Sequence, residues 1–219
     1  MRIKRDFIFD PSLVLYLPLY ELDGKSFMSR DAYGHLCTVT GALWRPNGRY
    51  FDGSDDFISC PDAPSLDYTA NTIEIWANIP AQTHSGSQIN IGLAKTASYL
   101  TGICYRTHAT VPTVVGWYFL ADTENDAKYS FHRFDGDDSW HHIVGVFNGV
   151  RTSIYFDSIL KDSATEDDTW TPNNETLKIM GGVDGRYING LLGEARIYNR
   201  ALTPLEIQHN YLATKWRYR

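Results

Sequence analysis

The sequence predicts an all-β sandwich of two antiparallel sheets closed by one short C-terminal helix, and three observations carry that prediction. First, the apolar residues fall in many short runs punctuated by turn residues, and aromatics make up 14% of the chain, as a large core between strands requires. Second, Glu194-Ala195-Arg196-Ile197 alternates charged with apolar side chains, the period of a strand with one buried face. Third, Thr203-Pro204-Leu205-Glu206 is a capping box. The Thr hydroxyl accepts from the third amide, Pro sits where no amide partner is needed, and Glu206 reaches back. A short helix therefore starts at Pro204. At 219 residues the chain has the size at which a sandwich forms one domain, and no linker divides it, so a single domain over 1–219 is expected. A core of that size needs no covalent staple.

The elements follow in order. Residues 13–17 read as a first strand, apolar almost throughout and so covered on both faces. Residues 29–35 form a turn, 38–40 a short strand, and 42–48 a loop that carries Trp44 beside Arg45 and Asn47. Asp52, Asp55 and Asp56 set three acids in five positions, which look like a metal site; a turn whose acids accept from backbone amides is the expected reading. Residues 72–79 alternate Ile73, Ile75, Ala77 and Ile79 against Glu74, Trp76 and Asn78, a strand on which Trp76 packs against a sheet face. A polar loop over 81–90 precedes a strand at 89–95, and 113–120 is a central strand by its β-branched and aromatic content. The acids of 122–126 imitate a calcium loop, but Ala127 and Arg133 stand where its Gly and bidentate Glu belong. A polar hairpin tip suffices. On the strand from Trp140, His141 and His142 point to opposite faces and cannot line one site. Residues 152–156 form the next strand, ended by Asp157-Ser158, and 177–180 another, after which Asp184-Gly185 predicts a hairpin to the returning strand.

Four blocks occur in one order: Phe51-Asp52-Gly53-Ser54-Asp55-Asp56-Phe57, Thr72-Ile73-Glu74-Ile75-Trp76, Trp140-His141-His142-Ile143, and Gly190-Leu191-Leu192-Gly193-Glu194-Ala195-Arg196-Ile197-Tyr198. Together they resemble the laminin-G-like jelly rolls of the concanavalin A-like lectin/glucanase superfamily, over roughly residues 12–210. The resemblance implies a jelly-roll β-sandwich. It also implies a calcium site, because the turn around Asp31 is similar to a loop that holds the ion in many members. Asp31 and Glu194 would be its acidic ligands, with backbone oxygens near Tyr33 and His35. Gly193 stands where the family has an Asp, which weakens the site. The alternative is that Asp31 caps its own turn.

A net charge of −6 argues against nucleic acid, whose phosphates need a basic surface. Arg2, Lys4 and Arg5 at one end and Lys215, Arg217 and Arg219 at the other leave the body at −12. The segments 1–5 and 215–219 therefore form either a patch for an acidic neighbour, such as another copy, or two solvated ends. Cys37, Cys60 and Cys104 are odd in number and show no metal-site spacing. Buried apolar thiols are the reading, with room for one bridge. No apolar run approaches a membrane span, and no Sec signal is visible.

The stretch 166–174 sets Trp170 among Asp168, Asn173 and hydroxyls with no periodicity to bury the indole. Sugar rings present apolar CH faces ringed by hydroxyls, so an aromatic with convergent polar groups is the minimum for binding them. Trp44 offers a second, weaker set. The Glu-x-Asp-x-x-Glu pattern of the superfamily's glucanases is absent, as are nucleophile elbows and phosphate loops. The expectation is a noncatalytic glycan-binding protein in an extracellular or virion setting, aided by calcium. The alternative is a structural or decoration protein of a virus or phage particle acting through protein contacts.

Overall fold

The computed structural model describes residues 6–81, 87–95, 102–108, 116–120, 129–165, 173–182 and 185–219. After a 3-10 turn at Asp6–Phe9 come β1 (Leu13–Pro18), β2 (Ser26–Met28), β3 (Leu36–Thr40), β4 (Leu43–Arg45), β5 (Gly48–Asp52) and β6 (Phe57–Cys60). A second 3-10 turn, Pro64–Leu66, leads to β7 (Asn71–Asn78), β8 (Ser87–Lys95), β9 (Gly102–His108), β10 (Gly116–Leu120) and β11 (Tyr129–Arg133). Then follow β12 (Trp140–Phe147), β13 (Arg151–Phe156), β14 (Ile159–Thr165), β15 (Leu177–Ile179) and β16 (Asn189–Tyr198). Helix α1 (Pro204–Thr214) and a 3-10 turn at Lys215–Arg217 close the chain. The first sheet runs β14-β13-β12-β7-β16-β5-β4, with β1 also paired to β16; the second runs β11-β10-β9-β8-β15-β6-β3-β2. Every pairing is antiparallel. This is the predicted sandwich.

Alternation builds the core. Ile73, Ile75 and Ala77 of β7 and Ala195 and Ile197 of β16 face inward, where they join Trp117 and Phe119 of β10 and Ile103 of β9. Each of the Ile and Phe side chains, fully buried, stabilises the fold by about 1.5–3 kcal/mol. Gly145 of β12 makes room for Phe119: a Cβ there would lie 2.0 Å from that ring. Asp157 and Ser158 both take positive φ, 52° and 64°, the geometry of a two-residue turn between β13 and β14.

Four expectations need correction. The Asp184-Gly185 stretch does not join paired strands, because β15 pairs with β6 and β8 while β16 pairs with β1, β5 and β7 in the other sheet. Turn residues fix a reversal of direction, not the partner of the next strand. The Trp44 stretch is an edge strand on β5 rather than a loop; three residues, all exposed, show no period to read. Cys37 and Cys60 form a disulfide with Cα atoms 4.4 Å apart, because the pairing of Thr38 with Ser59 brings them face to face. Only Cys104 is a buried free thiol.

The fourth correction concerns β16. Glu194 and Arg196 lie on its outer side, yet each is 1% exposed, because α1 and the flanking 3-10 turns cover that face. The predicted capping box starts the helix: Thr203 N–H donates to Glu206 Oε2 at 2.7 Å and Glu206 N–H to Thr203 Oγ1 at 3.3 Å. Arg200 then clamps Asp10 at 2.6 Å and Glu206 at 2.7 Å, and its hydrogen bond pushes the Glu206 carboxyl down to about 2. Phe7, Leu13, Tyr16, Tyr198 and Ile207 pack in the layer so formed.

Candidate functional site

A chain of polar contacts links Asp31 to Asn173 through His35, Ser65 and Lys95 and forms a rim. Asp31 opens it by accepting from the amides of Tyr16 at 2.9 Å, Tyr33 at 2.9 Å and Gly34 at 3.1 Å, with Gly34 at φ 65°. Asp31 therefore caps its own turn. His35 donates its amide to Ser29 Oγ at 2.7 Å, and its Nε2 lies 3.0 Å from Val14 O and 3.2 Å from Ser65 Oγ. Ser65 sits on the 3-10 turn whose Leu66 carbonyl accepts from Lys95 Nζ at 3.4 Å. Lys95 is 4% exposed and lies 2.7 Å from Asp62 and 2.5 Å from Asp67, the pairing that makes a buried ammonium tolerable. Its carbonyl accepts from Asn173 Nδ2 at 3.5 Å, and Asn173 Oδ1 takes the Glu175 amide at 3.0 Å. The Cys37–Cys60 bridge ties β3 to β6.

Beside the rim, Tyr33 is 51% exposed, and its ring stacks on His35 with centroids 6.0 Å apart. Met28 and Leu36, cross-strand partners, extend an apolar surface along the β2 edge. Sequence reasoning named Tyr33 only for its backbone oxygen and missed Lys95, Asp62 and Asp67. Pro61-Asp62 and Pro64-Ser65-Leu66-Asp67 flag a rigid acidic turn, but one Lys on a strand has no periodic signature.

The expected site residues do not all meet. Asn173 anchors the rim, whereas Trp170 and Asp168 lie outside the described residues. Trp44, 38% exposed, follows Thr40 at the opposite end of β3 from the disulfide. Glu194 is buried on the outer face of β16, where its Oε2 binds the Arg196 guanidinium. As folded, Asp31 and Glu194 do not fit a calcium ion, which wants oxygens free of competing cations and amides. Asp52, Asp55 and Asp56 place oxygens within 4.8 Å of one another. There Asp52 Oδ1 accepts from Ser54 N at 2.8 Å and Asp56 Oδ2 from Asp52 N at 3.0 Å, the amide-satisfying turn that was expected.

A second polar assembly lies under α1. Arg196 Nη1 donates to Glu74 Oε2 at 2.7 Å, and Asn210 of the helix donates to both Glu74 oxygens at 3.1 and 3.2 Å. Burial alone would raise the Glu74 carboxyl; His142 and the Arg196 charge hold it below its usual range. Trp76 donates its indole N–H to Thr214 Oγ1 at 2.9 Å. Trp76 is sheet-face packing, as expected. The adjacent histidines separate onto two faces, also as expected: His142 packs on Trp76 and Tyr211, while His141 lies 2.8 Å from Asp157 and 3.2 Å from Asp137. Both carboxylates on Arg196 are ion-paired, so the assembly holds the helix and presents no acid–base pair to solvent. Of the basic segments, 1–5 lie outside the described residues, and Arg217 stacks on Tyr20 at 3.7 Å.

A laminin G family model of the concanavalin A-like lectin/glucanase superfamily matches residues 52–208. No curated protein matches in sequence. Among solved structures, the binding domain of Paraclostridial Mosquitocidal Protein 1 superposes with a TM-score of 0.70 at 13% identity, covering 91% of this chain and 51% of that one. The botulinum neurotoxin serotype D ligand binding domain in complex with N-acetylneuraminic acid gives 0.71 at 14%, covering 93% and 51%. Trypanosoma rangeli sialidase gives 0.69 at 18%, covering 94% and 33%. The chain thus spans about half or a third of the length of these neighbours. With the family model matching most of its length and both sheets in place, the chain belongs to the concanavalin A-like lectin/glucanase superfamily.

Proposed function

We propose that this chain is a noncatalytic glycan-binding module that works at an extracellular or particle surface. The observation that carries the reading is the rim: an exposed aromatic, Tyr33, stacked on His35, whose Nε2 lies 3.2 Å from Ser65 Oγ on the turn that leads to the Lys95 cluster of Asp62, Asp67 and Asn173. Aromatic stacking with convergent hydrogen-bonding groups is what a sugar ring needs. Two neighbours support the class: the botulinum neurotoxin serotype D ligand binding domain is known in complex with N-acetylneuraminic acid and Trypanosoma rangeli sialidase in complex with sialic acid. The Cys37–Cys60 disulfide suits an oxidising setting. Among the described residues no helix is long and apolar enough to cross a membrane.

The test is an array of sialylated and neutral glycans probed with the wild type, Trp170→Ala and Tyr33→Ala, with and without calcium. Binding that either substitution abolishes supports the reading, and calcium is expected to leave it unchanged. A second reading, a particle decoration protein acting through protein contacts, draws on the exposed Met28 and Leu36 along edge strand β2. A blank array together with oligomers in sedimentation that Met28→Lys dissolves would favour it.

A further inference from the structure

The chain contains three Asn-Gly pairs, Asn47-Gly48, Asn148-Gly149 and Asn189-Gly190. In such a pair the glycine nitrogen can close on the carboxamide that precedes it, because no Cβ on the glycine stands in the way. The fold treats the three differently. Gly48 is buried and faces Arg45 where β5 begins, and a Cβ on it would lie 2.3 Å from Leu192 O. Asn189 and Gly190 lie within β16, paired with Asp52 and Phe51, and a Cβ on Gly190 would lie 2.6 Å from Asn78 O. At both places ring closure would have to pull a strand out of its sheet.

Asn148, Gly149 and Val150 are instead exposed in the turn between β12 and β13. Gly149 takes φ 93°, and beyond its chain neighbours nothing lies within 4 Å of where its Cβ would be. Asn148 N–H donates to Arg151 O at 3.2 Å, while the N–H groups of Val150 and Arg151 donate to Asn148 Oδ1 at 3.1 and 2.9 Å. Among the described residues the Gly149 N–H donates to none. Each bond to Oδ1 closes a ring of atoms that contains the Gly149 nitrogen, so the carboxamide carbon is held across from the group that must attack it. The same two amides polarise the carbonyl and stand where the oxyanion of that attack would form.

We infer that Asn148 is a self-modifying site, which closes with Gly149 to a succinimide and opens with water to aspartate and isoaspartate. The Gly149 nitrogen bonds to Asn148 Cγ as hydroxide takes its proton, and the negative charge forms on Oδ1 between the two amides. The Cγ–Nδ2 bond then breaks, and the amide group leaves as ammonia with a proton from water. Water next opens the ring on one side or the other. Cleavage at Cγ leaves an aspartate at position 148; cleavage at the main-chain carbonyl leaves isoaspartate, with a methylene added to the backbone. Either product adds one negative charge to the net −6. The aspartate keeps an acceptor for the Val150 and Arg151 amides, now charge-assisted, so the hairpin survives that branch. Isoaspartate moves the acceptor and lengthens the turn. The inference goes beyond the glycan reading and does not rest on it.

The experiment incubates the full-length chain at mildly alkaline pH, folded and in urea, in water enriched in heavy oxygen, and follows the tryptic peptides by mass spectrometry. Heavy oxygen marks the deamidation that occurs during incubation and excludes what arises in sample handling. Urea gives each Asn-Gly pair its intrinsic rate, so the ratio of folded to urea rate reads what the fold does to it. At Asn148 the folded rate should match or exceed the urea rate, as a held carboxamide and two oxyanion donors require. At Asn47 and Asn189 it should fall about tenfold or more below, the cost of opening a strand before the ring can close. A folded rate at Asn148 below its urea rate overturns the inference, as does a ratio there within about tenfold of that at either other pair.

Discussion

Arg196 and Glu74, 122 residues apart, form an ion pair of 2.7 Å with both side chains 1% exposed. Glu194 holds the other arm of the same guanidinium. The pair closes the seam between β16 and β7, and Asn210 ties it to the helix above. Arg196→Met should be strongly destabilising, by about 3–5 kcal/mol at pH 7, because it leaves two carboxylates buried without a cation. The pH dependence should then invert. In the wild type the depressed Glu74 pKa contributes stability above its unfolded value of 4.5 that is lost as pH falls through the folded value. Without Arg196, burial is left to raise the Glu74 carboxyl, so its protonation on acidification restores part of the loss. Urea unfolding at pH 7 and pH 4.5 on both proteins reads this directly.

The cysteines should sort by environment. Cys104 is buried, and desolvation pushes its thiol up to about 12, so it should not react with a thiol reagent in the native protein. Under denaturant one thiol should appear, and three after reduction. The double substitution Cys37→Ser/Cys60→Ser opens a loop with a sequence separation of 23 residues, which should lower stability by about 2–4 kcal/mol. A count of three thiols in the unreduced, denatured chain would contradict the bridge.

Much of this fold is legible in local chemistry. Alternation at Ile73, Ile75 and Ala77 marks the inward face, and Thr203-Pro204-Leu205-Glu206 marks the start of the helix, because each pattern is the direct trace of a backbone geometry. What does not show is whatever depends on which distant segment lies opposite. The same alternation assigns Glu194 and Arg196 to solvent, since nothing in β16 says that a helix beginning at Pro204 folds back over it. Cys37 and Cys60 look like separate thiols until the pairing of β3 with β6 is known. The candidate site divides in the same way. Asn173 and its stretch stand out because an indole among polar residues breaks the pattern of a core. Lys95 goes unnoticed, since its two carboxylates come from a turn some thirty residues earlier. Glu194, expected as a metal ligand, takes its role from Arg196 two residues on.

Two histidines should shape the pH profile in opposite senses. Burial pushes His132 down from 6.5 to about 4, aided by the charges of Lys161 and His141. Its neutral form contributes stability that is present above 6.5 and lost as pH falls toward 4. Burial would also lower His141, but the hydrogen bonds it donates to Asp157 and Asp137 outweigh it and raise the pKa above 6.5. The His141 contribution is complete below 6.5 and is lost as pH rises through the folded value. Melting temperatures from pH 4 to 9 should therefore pass through a maximum near neutrality. His132→Gln should flatten the acid limb and His141→Gln the alkaline limb, and a profile unchanged by both would refute the assignment.

Gly145 and Phe119 offer the sharpest test of core packing. The glycine sits mid-strand on β12 between Ile154 of β13 and Ile73 of β7, a place where lost entropy and a missing side chain weaken a sheet. Its compensation is the Phe119 ring from the opposite sheet, which fills the space where a Cβ would approach to 2.0 Å. Gly145→Ala adds one methyl group to a site with no room, and neither partner can swing into solvent. The expected loss is about 1–3 kcal/mol from overpacking. On its own that loss would not identify the clash, because any core change destabilises. Phe119→Leu shortens the ring and opens the space, so Gly145→Ala should be nearly neutral in that background. The double-mutant cycle should return a coupling of about 1–2 kcal/mol, and additive losses would mean that the two sheets do not meet at this pair.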